Sequence, residues 1–249
     1  MLQDLNLDKH VKNITEKKFT EVTVDAYVKG VIKEVFSSID KLFLGKKKLL
    51  EEKYIEYDIK GKKWKVNKSI GQYPDFTIYE ILHLQKDSLM IQQFCVKNLC
   101  TYEIFYSMPI DDDMAIVLEL YHKYNNIVYD ILVALLNKYH IKTSIRHAFY
   151  PVKYYPWPYH WARTTINRSP INRMGIHSDK SILSSVTTSA PGLILNSNTP
   201  YPTNDKARQN HILVWGGDDI PDASPCLHNV DFLNHVKFRY SLVNFLQYD

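Results

Sequence analysis

Residues 175–186 read "GIHSDKSILSSV", an alternating run bounded by a glycine and by further β-branched and small residues. Side chains two apart on a strand project to the same side. The alternation therefore sets His177 and Asp179 side by side, as two potential metal ligands on one face of a strand. An H-x-D pair is common by chance, so its meaning depends on what the surrounding chain supplies.

The same texture continues to the C-terminus. From residue 141 onward, short β-rich runs recur between Pro, Gly, Asn and Asp: "TSIRHAFY" (143–150), "KSILSSVTT" (180–188), "GLILN" (192–196), "HILVWGG" (211–217) and "HVKFRYSLVNFL" (235–246). Many short strands with frequent turns predict a barrel or sandwich. Upstream the period is helical. Val24, Val28, Val31, Ile32, Val35, Ile39, Leu42 and Phe43 predict a helix within 23–44, with Thr23 or Asp25 as cap. Met114, Val117, Leu118, Tyr121, Ile127, Val128, Ile131 and Leu135 predict a long helix within 111–140, opened by Asp111–Asp113. The polar stretch between them, "DIKGKKWKVNKSIGQYPDF" (58–76), reads as loop. The expectation is a single α+β domain over 1–249, with 1–140 mainly helical support and 141–249 the β core.

Composition narrows the function classes. A 249-residue chain that is 45% hydrophobic and 13% aromatic holds enough apolar material for one large core, which excludes disorder. The net charge of +4 is mild, and the basic run Lys46–Lys48 is followed by Glu51 and Glu52, so no nucleic-acid stripe is expected. Cys95, Cys100 and Cys226 form no C-x-x-C pair, which argues against a disulfide framework. The polar N-terminus resembles no signal peptide, and no apolar run reaches membrane-helix length. A cytoplasmic protein is expected, with no membrane and no obligate protein partner.

A metal at His177 and Asp179 needs a third ligand: His228, within "SPCLHNV" (224–230), is the expected one, with His211, at the head of an apolar strand, and His235 as the alternatives. Further on, Arg239 and Ser241 share one face of the last strand, with Phe238, Tyr240 and Leu242 on the other.

The ordered set "HSD", "LHNV" and "RYSLVNF" resembles the non-haem iron(II), 2-oxoglutarate-dependent dioxygenases of the isopenicillin N synthase type, which carry H-x-D, a distal His and then R-x-S. Tyr150-Pro151 resembles that family's tyrosine-proline, "APGLIL" (190–195) its G-L-Q-V strand, and "VWGGDDI" (214–220) its V-N-V-G-D turn. The segment "LFLGKKKLLEEKY" (42–54) extends the likeness toward the N-terminus. The resemblance implies a double-stranded β-helix (jelly-roll) core in the C-terminal half, flanked by N-terminal helices. It implies that His177, Asp179 and His228 hold Fe(II), and that Arg239 receives the far carboxylate of 2-oxoglutarate with Ser241 and Tyr150 assisting. It further implies O2-dependent oxidation of an unactivated C–H bond: hydroxylation, desaturation or cyclisation of a small metabolite in natural-product biosynthesis. Two imidazoles and one carboxylate leave half of an iron's coordination sphere open, and a guanidinium is a bidentate, permanently charged partner for a carboxylate.

The departures from that pattern are a weak or missing strand before the first long helix, a short segment between Asp218 and His228, and Asn229 where arginine is common. Residues 152–174 read as an insert over the barrel mouth. Lys153, Arg163, Arg168 and Arg173 among Trp157, Tyr159 and Trp161 predict a carboxylate-bearing substrate on an apolar body. The competing readings are an iron oxidase of the same fold that does not use 2-oxoglutarate, and an inactive β-barrel binding module.

Overall fold

The computed structural model describes residues 6–58, 61–66, 76–97, 100–141, 143–156, 174–195, 199–201, 211–221, 223–230 and 238–249. Among these, every strand pairing is antiparallel, and the strands form two sheets accompanied by three α-helices.

Helix α1 (Leu7–Lys17) leads into strand β1 (Phe19–Thr23) and helix α2 (Ala26–Ser38), which tightens into a 3-10 turn at Ile39–Phe43. Five strands follow: β2 (Lys48–Asp58), β3 (Gly61–Val66), β4 (Phe76–Leu84), β5 (Ser88–Lys97) and β6 (Cys100–Pro109). Helix α3 (Asp112–Lys138) then precedes β7 (Ile145–Tyr154), β8 (Met174–His177), β9 (Leu183–Thr188), β10 (Leu193–Leu195), β11 (Thr199–Tyr201), β12 (His211–Gly216), β13 (His228–Val230) and β14 (Arg239–Tyr248). The larger sheet runs β1-β12-β9-β14-β7-β4-β5-β6-β2-β3, and the smaller runs β11-β10-β13-β8. The architecture is jelly-roll-like, mostly antiparallel sheet with a few helices.

Helices α2 and α3 start where carboxylates can satisfy the first backbone amides. Asp25 Oδ1 accepts from Val28 N at 2.9 Å, and Asp111 Oδ1 accepts from Met114 N at 2.8 Å; each cap satisfies an amide donor that lacks an intrahelical partner. Of the two candidate caps for α2, Asp25 is the one used.

One large sheet serves two cores because side chains alternate along its strands. On β14, Leu242 and Leu246 join Ile131, Leu132 and Leu135 of α3 and Val28, Ile32 and Val35 of α2. On the same strand Val243 turns the other way, toward Val152, Val186, Leu193 and Val230, which fill the space between the sheets. Tyr124 of α3 fastens the helix layer to β9 by donating to Thr187 Oγ1 at 2.9 Å.

Three expectations about the N-terminal half are corrected. Residues 1–140 are not mainly helical, because five strands between Lys48 and Pro109 extend the large sheet well beyond its C-terminal strands. The polar stretch 58–76 contains β3, whose backbone pairs with β2 from Gly61↔Asp58 to Val66↔Lys53. The strand expected to be missing is β1, paired with β12 from Phe19↔Trp215 to Thr23↔His211. Pairing supplies the physical reason in each case: a lysine-rich or short segment becomes a strand once a neighbour satisfies its backbone amides and carbonyls.

Residues Val152–Tyr154 belong to β7 rather than to an insert, and Lys153 lies on the helix-facing side of the sheet. Its Nζ sits 2.5 Å from Asp40 Oδ1 and 4.3 Å from the centre of the Phe238 ring. This corrects its expected place at the barrel mouth. No helix among the described residues is long and apolar enough to cross a membrane.

Leu242→Ala removes a fully buried side chain from β14 where that strand packs against the helix layer. It should lower unfolding stability by about 2–5 kcal/mol. Urea denaturation measures this; a loss below about 1 kcal/mol would show that the two layers do not pack tightly there.

Candidate metal centre and its cavity

His177 and His228 are direct cross-strand partners in the pairing of β8 with β13. Opposed residues of an antiparallel pair hold their side chains within contact distance, and the two imidazole centres lie 4.3 Å apart. Asp179 joins them differently from the way the alternation suggests. Strand β8 ends at His177, and Asp179 sits in the chain that follows it.

Backbone bonds fix that turn. The Asp179 carbonyl accepts from Ser181 N at 2.9 Å and from Asp218 N at 2.8 Å, while Gly217 N donates to Ile182 O at 3.2 Å. Gly217 is required by space: a Cβ there would stand 2.2 Å from Ser181 O and 2.7 Å from Asp179 O. The "VWGGDDI" turn thus clasps the Asp179 backbone, a role for Gly217 that its sequence does not announce.

The three side chains converge. Asp179 Oδ1 lies 3.6 Å from His177 Nε2 and 3.6 Å from His228 Nε2, and the potential ligand atoms all fall within 4.8 Å of one another. Asp179 and His228 are buried, at 8% and 5% exposure, whereas His177 is 35% exposed. His228 Nδ1 stands 3.1 Å from the Cys226 carbonyl. A carbonyl only accepts, so Nδ1 carries the proton and Nε2 presents its lone pair toward Asp179. Burial holds the His228 imidazole below its usual range, against the attraction of Asp179 and with added repulsion from His177. A neutral imidazole is the form that binds a metal. One carboxylate and two imidazoles suit a divalent transition metal.

These residues line a cavity of about 220 Å³ between the sheets. Its walls are largely apolar, with Val152, Val186, Leu193, Val243 and Phe245 among them, and Arg239 and Ser241 line it as well. Arg239 is fully buried, an arrangement arginine adopts only when its charge is compensated. Its Nη1 donates to Ser241 Oγ at 2.8 Å and its Nε to Ala190 O at 3.1 Å. The guanidinium carbon lies 4.8 Å from the centre of the Tyr154 ring.

Tyr150 lines the same cavity, but it pairs with Val243, while the residue opposite Arg239 is Tyr154. Sequence reasoning missed Tyr154, although its position four residues after Tyr150 puts it on the same strand face. It also missed His83 of β4, which lines the cavity, meets Tyr150 edge-on at 5.0 Å and has Nε2 3.0 Å from Gln92 Oε1. Trp215, the other omission, donates its indole N–H to Asp179 Oδ2 at 3.0 Å.

Of the alternative histidines, His211 opens β12 opposite Thr23 and lies outside the cluster. His235 lies outside the described residues, as do Trp157, Tyr159, Trp161, Arg163, Arg168 and Arg173, the residues expected to touch substrate.

The fold is similar to that of a full-length Neurospora crassa protein solved in complex with alpha-KG. The TM-score is 0.62 at 12% identity, over 100% of this chain and 82% of that one. A second similar structure, IDO from Bacillus thuringiensis, gives a TM-score of 0.47 at 12% identity, over 100% and 98% of the two chains. No family model and no curated protein matches the sequence. The likeness to the Neurospora crassa protein establishes the fold alone, a jelly-roll-like arrangement of antiparallel strands.

Burial holds His83, His147 and His228 below the usual histidine range, against hydrogen bonds that the first two donate to Gln92 Oε1 and Asn244 Oδ1. The unfolded chain, with histidines near about 6.5, therefore binds more protons than the folded one as pH falls. Stability of metal-free protein should be fully present above that value and decline between about pH 7 and pH 5. Urea midpoints at the two pH values test this; equal midpoints would contradict it.

Proposed function

We propose that the protein is an iron(II)- and 2-oxoglutarate-dependent oxygenase acting on a small molecule. The observation that carries this reading is one closed arrangement. A His–Asp–His cluster and a fully buried arginine line one and the same largely apolar cavity. Neither part alone specifies the activity. Together they match the two ends of a small keto diacid, one end chelating a metal and the other meeting a fixed cation.

His177, Asp179 and His228 would hold the iron, whose three protein ligands leave positions for an α-keto acid and O2. With iron bound, oxidative decarboxylation of 2-oxoglutarate to succinate and CO2 supplies the oxidising power for substrate C–H cleavage. The chain's own residues bind, orient and exclude water. Arg239 is anchored at Nε and Nη1, so its charge is pre-set for a carboxylate rather than searching for it. Ser241 Oγ, already bonded to Nη1, adds a hydroxyl beside it. Tyr154 covers one guanidinium face, and Tyr150 lines the cavity nearer His83. The valines and Phe245 keep the space dry, which strengthens each electrostatic contact.

At the finer level, the order His177, Asp179, His228, Arg239, Ser241 supports placement among the isopenicillin N synthase-like enzymes, and specialised metabolism as the setting. The proposal that the substrate carries a carboxylate rests on Arg163, Arg168 and Arg173 in the sequence. An O2-dependent iron oxidase that leaves 2-oxoglutarate unused is the competing reading, since the Arg239–Ser241 pair would serve another carboxylate equally well.

Purified protein supplied with Fe(II), ascorbate and O2 should convert 2-oxoglutarate to succinate, and Asp179→Ala, which removes the anionic ligand, should not. Loss of a desolvated charge-assisted pair costs about 2–5 kcal/mol. Arg239→Ala should therefore raise the KM for 2-oxoglutarate more than tenfold. An unchanged KM would favour the oxidase reading, and succinate formation by Asp179→Ala would refute the metal assignment.

A further inference from the structure

We infer that Trp215 is a positioning residue for the metal: its indole N–H reserves one oxygen of Asp179, so that the carboxylate offers the metal a single atom. The inference rests on the reading of His177, Asp179 and His228 as metal ligands. The two carboxylate oxygens of Asp179 stand in different surroundings. Oδ1 is 3.6 Å from both imidazole Nε2 atoms, at the centre of the cluster. Oδ2 accepts the Trp215 Nε1–H at 3.0 Å, and both side chains are almost fully buried. A charge-assisted bond in so dry a place is strong, and indole nitrogen is a donor only. It cannot compete with Asp179 for a cation.

The indole is itself tightly held. Trp215 is paired to Phe19 on one side and to Ser184 on the other, in the interior of the large sheet. Its ring centre is 4.9 Å from that of His228, so one side chain braces two of the three ligand residues. The following Gly216 accepts the Cys226 N–H at 3.1 Å, and Cys226 O in turn meets His228 Nδ1 at 3.1 Å. Orientation of Asp179 and orientation of His228 are therefore set from one strand, β12. The consequence is a coordination number. A carboxylate free to turn can chelate through both oxygens, whereas one whose Oδ2 is held elsewhere gives one. Three protein atoms instead of four keep one more position for co-substrate and O2.

Groups that orient metal ligands in this way typically contribute about 10–100-fold to metal affinity. The test is titration of the metal-free protein with Mn(II), a redox-stable probe, followed by calorimetry and without turnover. Trp215→Phe keeps the ring and deletes the N–H, and should weaken Mn(II) binding about 10–100-fold. Leu213→Ala, a buried neighbour on the same face of β12 that packs behind Val186 without itself lining the cavity, should bind like wild type. Weakening of both variants alike would reduce Trp215 to general packing and overturn the inference, as would wild-type affinity in Trp215→Phe. A wild-type protein that takes up no divalent metal overturns the metal reading and this inference with it. Should Trp215→Phe not fold, ¹⁵N-labelled tryptophan in the wild type provides the second measurement. One exchange-protected indole N–H should shift on addition of Zn(II); four indole signals, one per tryptophan, that all ignore the metal would overturn the inference.

Discussion

Everything in this structure depends on the two-sidedness of β14. Antiparallel pairing to β7 and β9 holds the strand in the middle of the large sheet. Alternation then commits its odd-numbered side chains to one face and its even-numbered ones to the other. Arg239, Ser241, Val243 and Phe245 line the cavity, while Leu242 and Leu246 enter the core shared with α2 and α3. A one-residue slip would present leucines to the cavity and bury Arg239 among the helices, at the cost of an isolated charge in an apolar medium. Functional placement and stability are thus one constraint, written on the same ten residues.

The His–Asp–His cluster obeys a different logic. His177 and His228 meet because two short strands of the small sheet are paired, and Asp179 arrives from a turn held by backbone bonds to the "VWGGDDI" segment. The small sheet therefore supplies the imidazoles, and the end of β12 supplies the clasp and the indole that orient the carboxylate. Arg239 comes from the opposite sheet. The cavity between them, lined largely by apolar side chains, is reached by both parts. Lys153, one residue before Tyr154, shows how selective the alternation is: a cation on the other face pairs with Asp40 and takes no part in the site.

Much of this was legible in the chain. The ends of α2 and α3 follow from aspartate caps and a 3.6-residue apolar period, and the strands after residue 141 follow from short β-branched runs between turn residues. The cluster was legible from its ligand types in order. The strands between Lys48 and Pro109 were not, for a physical reason. In β5 the buried positions are Leu89, Ile91, Gln93 and Cys95, so the alternation exists but a glutamine interrupts the apolar face. Gln93 is tolerated there because its amide donates to Thr77 Oγ1 at 2.7 Å, a partner on another strand that sequence spacing cannot reveal. His177 and Asp179 also met for a reason other than the alternation that first set them side by side. Trp215 and Gly217 were missed because their roles, a single N–H and the absence of a Cβ, exist only once β12 lies beside the Asp179 turn.

On the proposed function, the two sheets together bind one metal and one keto diacid. Crystals grown with Mn(II) and 2-oxoglutarate under anaerobic conditions test it directly through the metal's anomalous scattering. One strong peak is expected at about 2.0–2.2 Å from His177 Nε2, Asp179 Oδ1 and His228 Nε2, the distances usual for imidazole and carboxylate ligands, with the far carboxylate of the acid on Arg239. A peak coordinated by other histidines, or an acid bound away from Arg239, would contradict it.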